Sequence, residues 1–271
     1  PLLNEKRLEQ AAAANDAGWA APDQSTRRGN SGVINDGPTT PWVPTGRTMT
    51  VAGTASATAV LFVLLLAAAV VGWLGVDTPQ GEVYKFPAYA IGGLLVGFAL
   101  AIFLAFKPHL AKFLAPVYAI AEGLFVGAIS KAYETYYDGI VVQAAGATIA
   151  VFAVMLTMYS LRIIKVTDRF RRIVIGATMG VALFYGVSFL ASLFGANISF
   201  FNSSSSLSIG FSLLVAGIAA MNLALDFDFI ERGEQARLPK YMEWYAAFGL
   251  LVTMVWRYLE ILRLLAKLRD R

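Results

Sequence analysis

The chain has 271 residues, of which 57% are hydrophobic and only 15% are charged, and its mean hydropathy is +0.61. This composition excludes an ordinary soluble domain, and the lack of cysteine excludes a disulfide framework or a thiolate site. The net charge of +4 comes from basic loops without a basic stripe and interleaved aromatic residues, so nucleic acid is not an expected partner. The expected surrounding is a lipid bilayer.

Residues 1–47 are predicted to form a separate disordered tail. Gly, Pro, Ser, Thr, Asn and charged residues dominate this stretch, and no apolar periodicity runs long enough to build a core. The membrane domain is predicted to follow over residues 48–271.

Seven apolar segments follow the tail, each long enough to cross a hydrocarbon core of roughly 30 Å as a helix. Backbone groups in lipid must be hydrogen-bonded within the segment, which favours helices over open strands. The predicted fold is an all-α integral membrane protein, a bundle of seven transmembrane helices. Their predicted limits are about 50–75, 87–106, 112–133, 140–161, 173–195, 207–229 and 241–266.

Basic residues are divided unequally between the two sets of loops. The loops on the side of the tail hold ten, whereas the opposite loops hold only Lys85 and Lys131. Because basic loops remain in the cytoplasm, we expect a cytoplasmic N-terminus. Seven crossings then place the C-terminus outside, although Lys267, Arg269 and Arg271 make it basic. The alternative is a seventh segment that enters the membrane and returns on the same side.

Glycines at a four-residue spacing occur in three of the segments: Gly93 with Gly97, Gly123 with Gly127, and Gly176 with Gly180. Such pairs let helix backbones approach closely within lipid. We expect them to pack helices within one bundle, and dimerisation is the alternative.

The ionisable residues within these apolar segments form the candidate site. Inserting one charged side chain at membrane depth costs at least about 2.5 kcal/mol of free energy. Asp226 closes the apolar run that begins at Leu207, and Glu260 lies within the last segment. The other members are Glu122 in the third segment, Asp228 and Arg257. Residues of this kind face a partner, a cavity or an ion path.

A structural interpretation of the set needs only ion pairs. Arg257 would neutralise Glu260, which lies three residues away on the same helix face, or Glu122 on the third helix. For the two aspartates, the structural interpretation is an inner-surface pair that faces lipid headgroups or Arg232.

A functional interpretation uses the same residues. Two neighbouring acids among apolar helices can share one proton near neutral pH and bind a cation when they lose it. Oxygen ligands suit Ca²⁺ better than softer metals, so Asp226 and Glu260 are candidate Ca²⁺ ligands, and no other cofactor is expected. The single histidine, His109, is expected to be a solvated loop residue, which leaves pH sensing to the carboxylates.

Several enzyme classes lack their sequence signatures in this chain. There is no zinc-binding His-Glu-x-x-His helix, no phosphate-binding Gly loop before a Lys-Ser/Thr pair, and no Gly-x-Gly-Asp string of intramembrane aspartyl proteases. We therefore predict a protein that is not an enzyme.

Five strings of the membrane domain are characteristic when taken together: Ala121–Ser130, Gly139–Ala144, Leu225–Glu231, Trp244–Leu250 and Tyr258–Leu265. With these strings the chain resembles the Bax inhibitor-1 family, and in particular its bacterial branch of the actinobacterial type. The resemblance covers roughly Thr48 to Leu268 and leaves the tail out.

The resemblance implies a seven-helix bundle in a bacterial plasma membrane, with the C-terminal helix near the centre. It also implies a pH-sensitive Ca²⁺ leak and a role in stress protection, and it suggests a membrane-bound AAA protease as a protein partner. In the channel members, two acids on the sixth and seventh helices form the pH sensor. Asp226 matches the first through Asp-x-x-x-Ile, and Glu260 matches the second through Tyr-Leu-(Asp/Glu)-Ile.

The chain departs from the family pattern in three ways. Glutamate stands at position 260 where the pattern has aspartate, and the gap between Asp226 and Glu260 is wider by roughly three helical turns. On straight antiparallel helices, this gap predicts that the two acids lie at different depths. The second segment also lacks the expected arginine, and Arg257 is the candidate substitute as counter-charge.

Overall fold

A computed structural model describes residues 48–76, 87–194 and 205–270, so the predicted tail over 1–47 lies outside the described residues. Within those ranges the chain is helical, as predicted. A short 3-10 turn, Pro108–Leu110, carries the exposed His109 between the second and third helices. The α-helices are α1 Val51–Leu74, α2 Ala88–Phe106, α3 Ala111–Tyr136, α4 Ile140–Ser160, α5 Asp168–Leu193, α6 Ser206–Gln235 and α7 Tyr241–Arg269.

Six of the helices, α1 to α6, are long and apolar enough to cross a membrane. This finding supports a multi-pass membrane protein. The last helix, α7, has 29 residues, of which six are charged, compared with five of the 30 residues of α6.

Glycines bring α3 into close contact with its two neighbours. A Cβ atom at Gly127 would overlap the Ala69 carbonyl oxygen of α1, and one at Gly93 of α2 would lie 2.5 Å from the Ala121 carbonyl oxygen of α3. These positions therefore pack helices within the bundle, as expected. Gly176 and Gly180 on α5 have no neighbouring atom within 4 Å of a Cβ, so they do not pack helices in this way.

The last helix packs against α1, α3, α4 and α6. Its apolar residues extend from Phe248, whose ring meets the Tyr118 ring edge-on at 4.9 Å, to Leu262, which is buried with Ile140 of α4. Four charged residues of α7 are thus buried among other helices: Glu243, Arg257, Glu260 and Lys267.

The beginning of α1 is fastened to the connection between α6 and α7. Met49 N donates to the Leu238 carbonyl oxygen at 2.8 Å, next to an isolated antiparallel bridge between Thr48 and Pro239. The free backbone N–H groups at the helix start find acidic acceptors, which favour this positive end of the helix dipole. Two of these bonds run from Thr50 N to Glu243 Oε1 at 3.1 Å and from Val51 N to Glu234 Oε1 at 3.0 Å.

Candidate functional site

Asp226 lies on α6, where the Thr253 hydroxyl and the Arg257 guanidinium of α7 are its polar neighbours. Its carboxylate Oδ2 is buried and has no hydrogen-bond partner. A buried polar atom without a partner is uncommon in folded proteins and indicates a bound water, an ion or a functional role. A strong acceptor is therefore available at membrane depth.

Arg257 follows Thr253 by one turn of α7 and is 1% exposed. Its Nη2 donates to the Ala219 backbone carbonyl of α6, while Nε and Nη1 are buried without a partner. The ion pairs of the described residues do not include Arg257. Because a guanidinium stays charged, Arg257 acts on Asp226 across a gap as a permanent cation.

Three buried polar atoms without partners thus flank one part of the α6–α7 interface: Asp226 Oδ2, Arg257 Nε and Arg257 Nη1. An acid and a cation that do not touch can be bridged by water, since a buried water makes about three hydrogen bonds. The arrangement suits the exchange of a proton or a hydrated cation at Asp226, with Arg257 as the counter-charge.

A cavity of about 620 Å³ lies beside Asp226 and is lined by α5, α6 and the first part of α7. Asn222 and Gly249 contribute to its wall next to Asp226, and Arg171 and Arg232 line it near the ends of α5 and α6. Two other cavities, of about 780 and 590 Å³, are lined by none of the five candidate site residues. Among these three cavities, the one beside Asp226 gives a candidate acid a polar surrounding.

Asp228 is paired with two arginines at the end of this cavity. Its Oδ2 accepts from Arg171 Nη2 at 2.7 Å, and its Oδ1 accepts from Arg232 Nε at 2.9 Å. Each carboxylate oxygen therefore has a cationic donor, which leaves little capacity for a metal ion. The contact with Arg232 agrees with the structural interpretation of this residue.

Glu260 is buried on α7 and has a separate set of partners. Tyr185 Oη of α5 donates to its Oε2 at 3.1 Å and its Oε1 at 3.2 Å, and Arg263 Nη1 lies 3.4 Å from Oε2. Arg263 also donates to Tyr185 Oη at 2.8 Å. The cation paired with Glu260 is thus Arg263 of the same helix, whereas the structural interpretation named Arg257.

The structure does not bring Asp226 and Glu260 together. Asp226 lies at the level of Thr253, and Glu260 follows seven residues later on α7, about 10 Å farther along the helix axis. The difference in depth expected from the sequence spacing is thus present. A single proton shared directly between the two acids does not fit this geometry.

Glu122 is buried on α3 and faces α2. A Cβ atom at Gly97 would lie 2.6 Å from Glu122 Oε2, so the glycine makes room for the carboxyl group. Tyr118, one turn earlier on α3, is the charged or titratable neighbour that interacts with it. The structure therefore brings Glu122 together with neither Arg257 nor the other acids.

Two polar links within the bundle escaped the sequence interpretation. Lys267, assigned above to a basic C-terminus, is buried and donates to Ser208 Oγ at 2.8 Å and Ser212 Oγ at 2.9 Å. Asn222 Nδ2 of α6 donates to Thr178 Oγ1 of α5 at 2.7 Å. For the bond between Asn222 and Thr178, the sequence offered only an amide and a hydroxyl within apolar segments. Many such side chains bond only to their own helix, so this pattern does not identify a bond between helices.

The described residues around Asp226 offer few of the carboxylate ligands that a resident Ca²⁺ usually has. Protein-bound Ca²⁺ takes about six to eight oxygen ligands. In the part of the chain that the structure describes, no three acidic or histidine side chains are grouped to hold a metal ion. The nearby Arg257 also opposes a bound divalent cation.

Comparison with known proteins places the chain in a family. The family model described as Bax inhibitor 1 like matches residues 1–270, and the match includes the tail that the resemblance left out. Among curated proteins, none matches the chain. The matched family is not a known enzyme family. Since the match covers nearly the entire chain, the protein belongs to the Bax inhibitor 1 like family.

Proposed function

We propose that the protein is a seven-span, pH-sensitive cation leak pathway of a bacterial plasma membrane, with Ca²⁺ as a transported ion. The observation that carries this proposal is the incompletely bonded pair of Asp226 and Arg257 beside a cavity at membrane depth. Charged groups in such positions line ion or proton paths in membrane proteins. The N-terminus is proposed to lie in the cytoplasm.

The contacts at its two ends support α7 as the seventh span, with a central place in the bundle. Its first turn meets the beginning of α1 through Glu243. Its last turn meets the α3–α4 connection, where Arg269 Nη1 donates to the Asp138 carbonyl oxygen at 2.7 Å. Burial of Lys267 against serines also removes one of the charges that argued against an outside C-terminus.

The proposed gate has two acidic stages at different depths. Asp226 exchanges a proton with the cavity, and its ionised form attracts a cation that Arg257 prevents from binding tightly. Glu260 forms the second stage, where a cation must compete with Tyr185 and Arg263 for the carboxylate. Ionisation of the acids is expected to increase conduction, because the charged form attracts cations.

Measurement of Ca²⁺ flux into proteoliposomes between pH 6 and pH 8 tests the proposal. We expect a flux that rises with pH in the native protein and loses most of this dependence in Asp226→Asn. Asp168→Asn, the same change at an exposed position before the membrane part of α5, is the matched control. Flux no greater than in empty liposomes at every pH would contradict the leak function.

A non-conducting regulator of a membrane-bound protease or a stress-response partner is the second candidate. Two observations favour it: of the three cavities described above, only one is lined by a candidate acid, and the family match runs through the tail. The tail would then be the docking element. Removal of residues 1–46 should abolish regulation of a co-reconstituted membrane-bound AAA protease while leaving insertion intact, and retained regulation would count against this candidate.

A further inference from the structure

One face of α5 carries a regular pattern of polar residues, of which the proposed gate uses only Tyr185. Arg171, Thr178 and Tyr185 recur every seven residues, and Val174 and Val181 lie between them. This is the spacing of a helix–helix seam, with polar residues at one position and valines at the other. We call these five residues the α5 seam.

Each polar residue of the α5 seam has a partner on α6 or α7. Arg171 bonds to Asp228 at 2.7 Å, Thr178 accepts from Asn222 at 2.7 Å, and Tyr185 donates to Glu260 at 3.1 Å. The three links extend over about 21 Å along α5, most of a hydrocarbon core of roughly 30 Å. A polar line therefore runs through most of the membrane along one helix interface.

An apolar cluster interrupts this line between its second and third links. Val181 of α5 is buried together with Val215 and Ile218 of α6. One side of the cluster meets the cavity beside Asp226, because Asn222 lines that cavity and donates to the Ile218 carbonyl oxygen at 3.0 Å. The other side is covered by Tyr185, which bonds to Glu260.

Few residues of α5, the helix that carries the seam, are buried. In the apolar stretch of α5, 11% of the residues are buried, compared with 61% in that of α3. Its contacts with the neighbouring helices are the three polar links, the two valines and a small number of further apolar contacts, such as the rings of Phe184 and Tyr185 against Phe211 of α6.

We propose that the leak route follows the α5 seam and that Val181, Val215 and Ile218 form its closed point. This inference rests on the proposed function. It adds a route between Asp226 and Glu260, two residues that are not in contact. Water and ions withdraw from a narrow apolar constriction. Such a constriction therefore closes a path although no charged group blocks it. On this basis Asn222, Thr178 and Tyr185 line the route on either side of the constriction.

A polar replacement within the apolar cluster tests the inference. Val181→Thr keeps the size of the side chain and adds a hydroxyl, and Val187→Thr makes the same change on the exposed side of α5. Since one hydrogen bond contributes roughly a factor of five to an equilibrium, we expect Ca²⁺ flux to rise about fivefold in Val181→Thr and to stay unchanged in Val187→Thr.

A second measurement follows water at the constriction independently of flux. The chain has no cysteine, so Ala177→Cys, next to the cluster, introduces a single reactive thiol. A membrane-impermeant methanethiosulfonate reagent modifies thiols only where water reaches them. We expect modification of Cys at this position to be faster when Val181→Thr is also present, while the same thiol from Ala115→Cys in the core of α3 stays protected.

The two measurements separate this inference from the proposed function. Higher flux together with faster modification supports both. Faster modification without flux in any variant supports the constriction but contradicts the leak. Equal flux and equal modification in Val181→Thr and Val187→Thr contradict the constriction and leave the leak standing. If Val181→Thr does not fold, Val215→Thr tests the same constriction from α6.

Discussion

The α1–α3 interface and the α5 seam hold helices together by different means. Between α1 and α3, glycines place backbone against backbone, so that no side chain fits between Gly127 and Ala69. Along the α5 seam, side-chain hydrogen bonds bridge the helices, and the glycines of α5 have no close neighbours. In lipid, where no hydrophobic effect drives helices together, close packing of small residues and interhelical hydrogen bonds are separate means of association, and this chain uses both.

The largest difference between the two interfaces should appear when a glycine is replaced by alanine. Gly127→Ala is expected to lower the free energy of unfolding by roughly 2–3 kcal/mol, because the new Cβ overlaps the α1 backbone. Gly176→Ala has open space and should raise it by up to about 1 kcal/mol through helix propensity. Equilibrium unfolding by SDS in mixed micelles measures both, and equal effects would show that the interfaces do not differ in this way.

Removal of one hydroxyl should weaken the outer part of the α5 seam. Tyr185→Phe deletes the group that donates to Glu260 and accepts from Arg263, and hydrogen bonds to charged groups contribute about 1.5–3 kcal/mol. We expect a loss near the lower value, because Arg263 remains close to Glu260. Tyr136→Phe, at an exposed tyrosine, is the control in the same unfolding measurement. A similar change in the free energy of unfolding in both variants would contradict a stabilising role of the Tyr185 hydroxyl.

The middle link of the α5 seam should show the smallest effect. A double-mutant cycle of Thr178→Val and Asn222→Leu isolates the bond between these side chains. Interhelical hydrogen bonds in membranes average about 0.6 kcal/mol, and we expect a coupling energy of that size. Additive effects would mean that this link does not hold α5.

The sequence predicted the helices well because hydropathy detects the part of a helix that lies in hydrocarbon. It located the ends less well. The sixth helix was predicted to end at residue 229 and continues to Gln235, and the fifth was predicted to begin at 173 and begins at Asp168. These extra turns are polar, so their helical structure leaves no signal in an apolar run.

The sequence also identified the buried charges but not their partners. Arg257 and Arg263 lie on either side of Glu260 on one helix, and spacing alone allows either to pair with it. The choice depends on the rotation of α7 against α5 and α6, which places Tyr185 with Arg263 and turns Arg257 towards Ala219. Such rotation is set by packing over the entire bundle and is not encoded in a local pattern.

The fastening of Thr48 and Met49 to the α6–α7 connection has a mechanical consequence. A force on the chain before residue 48 would act on Leu238 and Pro239 as well as on α1, because Thr48 and Met49 are bonded to them. That connection joins the two helices that carry Asp226 and Arg257. The beginning of the membrane domain is thus mechanically connected to the helix pair that carries the acid and its counter-charge.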